Sequence, residues 1–224
     1  LMLPLSAACM DVTLVMTCEP ASVNTMGSTY RLYAVLPPEA SLHVVYGDEN
    51  HPLSILSTAP FFQHGLGSNT SAGIHHALED SEPSLRSDSW ITIGYLNQTN
   101  NHLWDVGLDL NSFAGGGNIF CDNGGWFLVP SDPLTMPNEQ GLILLGQFTS
   151  TGIVSGVLNL QGKGPNGVWN KTGLSFSSVN CLIPGCTDAQ FSNYNPLAQI
   201  NDGSCNGSSI IPTDDASSAL DNWS

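Results

Sequence analysis

Apolar residues in this chain come in short runs rich in Val, Ile, Leu and aromatic side chains, each closed by Gly, Pro, Asn or Asp. Runs of that kind read as β-strands rather than amphipathic helices. They cover residues 11–17, 30–36, 41–46, 52–57, 89–94, 118–121, 125–129, 142–149, 152–159 and 172–177. The pattern predicts an all-β chain, either an antiparallel β-sandwich or a jelly-roll-like domain. One helical turn is expected near residues 71–78. No long amphipathic helix is predicted, which disfavours α/β enzyme folds. Strand signals stop near Cys181, where a segment rich in Cys, Asn, Asp and Gly begins and runs to Cys205. The expected organisation is a β-sandwich domain over 1–180, a small disulfide-stapled module over 181–205, and a polar tail over 206–224.

The first nine residues, Leu-Met-Leu-Pro-Leu-Ser-Ala-Ala-Cys, resemble the end of a signal peptide that lacks its charged leader. We read them as mature sequence, an apolar first strand or docking segment. The tail 206–224 is too polar to hold itself in place. Both termini are expected to dock, on the chain itself or on neighbouring copies in a polymer.

Charge narrows the function classes. There are 19 acidic side chains against four basic ones, a formal net charge of -15. Nucleic acids and anionic membrane surfaces demand clustered cations, so neither is an expected partner. No stretch approaches the ~20 apolar residues of a membrane-spanning helix. Only 10% of residues are charged. The surface must then be built from Ser, Thr, Asn, Gln and Gly, which suits glycans and hydrogen-bonded packing.

The six cysteines, Cys9, Cys18, Cys121, Cys181, Cys186 and Cys205, contain no CxxC zinc pair. An even number in so acidic a chain reads as a disulfide framework in an oxidising compartment, hence a secreted or cell-surface protein. Cys186 and Cys205 bracket a turn-rich segment with too few apolar residues for a core, and they are expected to pair. Closing that loop stabilises it by roughly 3 kcal/mol. Cys9, Cys18, Cys121 and Cys181 are left to pair among themselves, in an order the sequence leaves open. Asn69, Asn97, Asn170, Asn206 and Asn222 match the N-glycosylation pattern. A chain so rich in Asn, Ser and Thr yields about three or four such matches by chance, so glycans follow from secretion rather than prove it.

No catalytic apparatus emerges. Gly162-Lys-Gly-Pro-Asn-Gly167 formally matches the dinucleotide fingerprint, but Pro165 and the strand-like Val168-Trp169 make it a hairpin loop. The six histidines form no HExxH pair, and no G-x-S-x-G elbow is present. Acid pairs such as Glu79-Asp80 and Asp214-Asp215 fall in turn-like or tail sequence, with nothing to set them across a glycosidase cleft. Trp90, Trp104, Trp126 and Tyr46 offer a sugar-stacking platform, although Trp in strand-like runs is more often core.

The most specific segment is Gly185-Cys-Thr-Asp188, then Asn193-Tyr-Asn195, then Asp202-Gly-Ser-Cys205. It resembles the GCTD…NYN…DGSC module of secreted and surface proteins of marine bacteria and some algae. The full pattern carries a further Cys before the Asn-Tyr; here Ser192 stands there. Cys181 is then a candidate to bridge to the body. The upstream Thr29-Tyr-Arg-Leu-Tyr33, Asp88-Ser-Trp-Ile-Thr-Ile-Gly94 and Gly124-Gly-Trp-Phe127 look like the β-domain that accompanies this module. The resemblance implies an extracellular surface or matrix protein and no known reaction. Ca²⁺ is the one cofactor with a candidate donor set, the hard oxygens of Asp188, Asn193, Asn195 and Asp202. The same residue types also make Asx turns, and their spacing is not that of an EF-hand. The expected function is a structural glycoprotein subunit of an extracellular filament, hair or matrix, assembling with copies of itself through its terminal segments. The alternative is a glycan-binding or adhesion module, and a glycan-active hydrolase ranks last.

Overall fold

The computed structural model describes residues 11–22 and 25–207. The chain divides into two units, Leu1–Ile183 and Pro184–Ser224. In the first unit the strands are β1 (Thr13–Pro20), β2 (Ser28–Val35), β3 (Ser41–Gly47), β4 (Leu53–Ser57), β5 (Trp90–Ile91) and β6 (Trp104–Val106). After a single helical turn, α1 (Asn111–Ala114), come β7 (Ile119–Cys121), β8 (Gly124–Phe127), β9 (Leu142–Ser150), β10 (Val154–Gly164) and β11 (Gly167–Ser177). The domain is all-β, as its pattern predicts. No described helix is long and apolar enough to cross a membrane.

Two antiparallel sheets share one core. The first has the order β1-β2-β9-β5. The second is built on β10, which pairs β11 on one side and both β3 and β4 on the other. Leu32 and Phe148 from the first sheet and Trp126, Leu158 and Leu160 from the second belong to the same buried cluster. Alternation sets this up: Leu32 and Ala34 face inward on β2, Val45 on β3 and Ile55 on β4, with more exposed neighbours between them.

β9 is buried along its whole length. Its outer side is roofed by the short helical turns Ser71–Gly73, His76–Leu78 and Pro83–Ser87, where a single helical turn near 71–78 is expected from sequence. Ile74 packs there with Trp90, Leu144 and Tyr33. Gln147 fastens the roof, its Nε2 donating to Arg86 O at 2.8 Å and Asp88 O at 2.9 Å while its Oε1 accepts from Arg31 Nε. Only Trp90–Ile91 of the expected 89–94 run joins the ladder as a strand, although Thr92 and Gly94 still donate to Leu145 and Leu144.

The second sheet has an interruption at its centre. β3 and β4 lie end to end along β10, with Tyr46 opposite Asn159 and Ser54 opposite Val157. β8 and β7 lie end to end against them. The turn at residues 48–52 therefore breaks a strand line and leaves the break to be tied by a side chain. Asn159 meets that demand. It is fully buried. Its Nδ2 donates to Tyr46 O at 2.9 Å and His51 O at 2.6 Å, and its Oδ1 accepts from Gly173 N–H at 2.9 Å. The third bond serves β11, whose register with β10 shifts between Leu158 and Leu160. The sequence pattern ends this strand at Asn159; in the fold it runs on to Gly164 and turns through Pro165-Asn166 into β11. Gly162–Gly167 is thus a hairpin.

The chain leaves β11 and crosses to the edge of the first sheet. Leu182 N–H donates to Met16 O at 2.7 Å, and Cys18 N–H donates to Leu182 O at 3.0 Å. Cys18 and Cys181 form a disulfide across a sequence separation of 163. A closed loop that long removes about 5 kcal/mol of unfolded-chain entropy. These contacts carry the body to Ile183, three residues past the boundary expected at 180. Cys121 does not pair as expected: it is a buried free thiol on β7, its strand held in the sheet against β4, its sulfur 3.8 Å from Gly107 O. Cys9 lies outside the described residues. The two disulfides fit an oxidising compartment.

Asn159 generates a test. Asn159→Leu removes three hydrogen bonds from the centre of the sheet, and Asn159→Asp sets a carboxylate against two carbonyls. Each should cost about 2–4 kcal/mol, read as a lowered midpoint in urea unfolding. An unchanged midpoint in both would show that the strand break does not need the amide.

Candidate functional site

In an antiparallel sandwich the outward positions of a sheet are ordinarily polar. The second sheet departs from this. Residues directly opposite in an antiparallel pair share a face, and the register runs Trp104–Phe127–Val44–Gln161–Asn170 across five strands. Their neighbours Val45, Trp126 and Leu160 face the core, so this row faces outward. Val106 and Tyr46 both pair Gly125 in the next row. On the other half of the sheet Phe120 pairs Ser54. Trp104 is 64% exposed, Val106 62%, Phe120 61% and Val168 72%. The face is largely apolar, with amides at one side, where Gln161 Nε2 donates to Asn170 Oδ1 at 2.8 Å.

The four platform residues therefore separate. Trp90 and Trp126 are core, and the Trp126 indole donates to Thr92 O at 2.8 Å. Trp104 and Tyr46 lie on the exposed face. β6, which carries Trp104, is an edge strand that the apolar pattern does not reveal, being three residues long with Asp105 at its centre. At the break between the strand lines, Asp48, Glu49, Asp122 and Asn123 line a shallow acidic depression.

Two buried carboxylates also stand out. Asp88 Oδ1 accepts from His64 N–H at 2.7 Å and Oδ2 from Ser68 N–H at 2.8 Å. Burial holds its carboxyl above the usual range despite these donors. It pins the loop after β4 to the strand before Trp90, a structural task. Asp132 is buried beneath a more exposed partner. Tyr95 OH donates to its Oδ2 at 2.9 Å, His102 Nδ1 lies 3.0 Å from the same oxygen, and Leu134 N–H donates to Oδ1 at 2.9 Å. Burial works to raise this carboxyl, but the donors prevail and hold it below its ordinary value. Tyr95 is pushed up to about 12, first by burial and then by the Asp132 bond and charge. Nothing in sequence spacing links these three residues; the fold brings Asp132, from the segment between β8 and β9, onto Tyr95 and His102 of the β5–β6 connection.

In the second unit, β12 (Pro184–Gly185) pairs in parallel with β13 (Ile200–Asn201), and Cys186 is bonded to Cys205 as expected. The four proposed calcium ligands are engaged with backbone. Asp188 Oδ1 accepts from Gln190 N–H, Asn195 Oδ1 from Leu197 N–H and Asp202 Oδ1 from Ser204 N–H, which are Asx turns. Asn193 Nδ2 donates to Ser204 O at 2.6 Å while its Oδ1 accepts from Asn206 N–H. Among the described residues no group of three or more His, Cys, Asp or Glu side chains is placed to hold a metal ion.

The sequons fall in different settings. Asn170 is exposed on β11, and Asn206 is exposed beside the second disulfide. Asn69 is half-buried with its Nδ2 3.5 Å from Leu110 O, and half-buried Asn97 accepts from Thr99 N–H in a turn. Asn222, residues 1–10 and residues 208–224 lie outside the description, and with them the expected terminal contacts.

The Tyr95 site titrates in a checkable way. Its folded-state value lies above the unfolded one of about 10. Its contribution to stability is therefore complete below pH 10 and is lost as pH rises through about 12. An ultraviolet difference titration should find one tyrosine ionising near pH 12, and Asp132→Asn should move it part of the way back. A tyrosine unmoved by that substitution would contradict the assignment.

Comparison with known protein families, curated proteins and solved structures finds no match to this chain.

Proposed function

We propose that the chain is a structural subunit of an extracellular filament, hair or matrix. The observation that carries this reading is the apolar outer face of the second sheet, where Lys163, opposite Val168, is the charged side chain among the strand residues described, and which offers contact area and no converging chemical groups. Exposed apolar patches of this kind mark interaction surfaces in soluble proteins. The disulfides Cys18–Cys181 and Cys186–Cys205 support a location outside the reducing cytosol. The likeness of residues 185–205 to the GCTD…NYN…DGSC module supports a surface or matrix setting. Exposed Asn206 is the sequon where a glycan fits best, since Asn170 stands in the outward row of the second sheet. Assembly through the terminal segments belongs to the same reading.

A glycan-binding or adhesion module is the second reading. Exposed Trp104, with half-buried Tyr46 nearby, favours it, because rings on a sheet face stack against sugars and the Gln161–Asn170 amides lie in the Trp104 row.

Electron microscopy of the purified full chain, with light scattering across concentration, separates the two. Ordered polymers or discrete oligomers support the subunit reading. A monomer at every concentration that is retained on a neutral glycan array would overturn it in favour of the second.

A further inference from the structure

The two sheets treat their outer faces differently. The first is roofed by residues 71–87, with Ile74 and Trp90 sealed beneath. Among the described residues nothing covers the second, although Trp104, Phe120 and Val168 stand on it. We infer that this open face is where one copy of the chain binds a second copy, sheet face against sheet face; the inference rests on the subunit reading above.

Charge selects the occupant. With 19 acidic and four basic side chains, two copies repel across most of their surface. The seven strands of the second sheet contain a single acidic residue, Asp105, while Lys163, opposite Val168, puts a positive charge on the face that an acidic copy tolerates. Asp105 pairs Trp126 on the core side of β6 and so does not stand on the open face. This is the broad surface on which like-charged copies can meet. A cationic partner would choose an acidic surface instead.

The side chains agree with that choice. Val106 and Val168 gain little from a hydroxyl-rich glycan, whereas protein interface cores are depleted in charge and enriched in aromatic rings. Apolar area removed from water there is worth about 25 cal/mol per Å². The edges point to face contact rather than strand addition. An inward-set charge such as Asp105 discourages further pairing at β6, and the irregular register with Gly173 in the left-handed region does so at β11. The acidic residues Asp48, Glu49 and Asp122 leave residual repulsion beside the face. Screening it makes association tighter as salt rises, the reverse of an ion-paired interface.

Sedimentation equilibrium of the full chain in low and high salt tests the inference, comparing wild type with Trp104→Glu, Val168→Glu and a control, Ser81→Glu, on the roof of the first sheet. Both face residues are more than half exposed, so thermal melts should stay at the wild-type midpoint. Wild type should self-associate, more tightly in high salt. Each face variant should weaken association about tenfold or more, the step expected when an interface anchor is replaced by a charge. The control should not. Association by both face variants as tight as wild type would overturn the face contact and leave the subunit reading standing. A wild-type monomer that binds neutral glycans through Trp104 would overturn both. A monomer whose Trp104 is shielded from N-bromosuccinimide would place one of the chain's own terminal segments on the face, overturning the inference alone.

Discussion

The three hydrogen bonds of Asn159 hold together what the rest of the molecule builds on. Two strand lines break at the centre of the second sheet, and β11 shifts register beside them. A single buried amide donates to two carbonyls at the break and accepts from one N–H of β11. Each such bond contributes about 0.5–1.5 kcal/mol, so the amide ties the turn after β3 and the shifted β11 to β10 where the strand lines break. The rows that place Trp104, Phe127, Val44 and Gln161 on one face depend on that continuity.

Closure is the second constraint. The final segment of the body leaves one sheet and is bonded to the edge of the other by Leu182 and the Cys18–Cys181 bridge. Pairing at Thr17 interrupts the β1 edge, which would otherwise invite strand addition. With β9 roofed on its outer side, the first sheet has spent its apolar surface internally. Among the described residues the second sheet has no such cover, and the function proposed for the chain lies in that difference.

Much of the fold is legible in the sequence because strand length and punctuation are local properties. The runs at 41–46 and 142–149 coincide with β3 and β9 within a residue or two. Exposure is harder to read, because it depends on which parity of a strand faces the core. In Trp126-Phe127-Leu128 every position is apolar, and the register alone shows that Phe127 turns outward. Trp104 and Trp126 are the same residue type in similar strands with opposite fates. Asn159 reads as a strand terminator and is a strand interior, since its role lies in groups far away in sequence. Cys18–Cys181 is a topological pairing that spacing cannot supply, whereas Cys186–Cys205 was legible because its loop is short. The Tyr95–His102–Asp132 cluster is invisible for the same reason as Asn159.

The claim that matters most is that the open face is buried between copies in the working assembly. Hydroxyl-radical footprinting with mass spectrometry, on assembled material and on dilute chain, addresses it directly. The account predicts strong labelling of Trp104 and Phe120 in the dilute chain, their protection in the assembly, and protection of Trp126 in both. Equal labelling of Trp104 and Phe120 in the two states would contradict it.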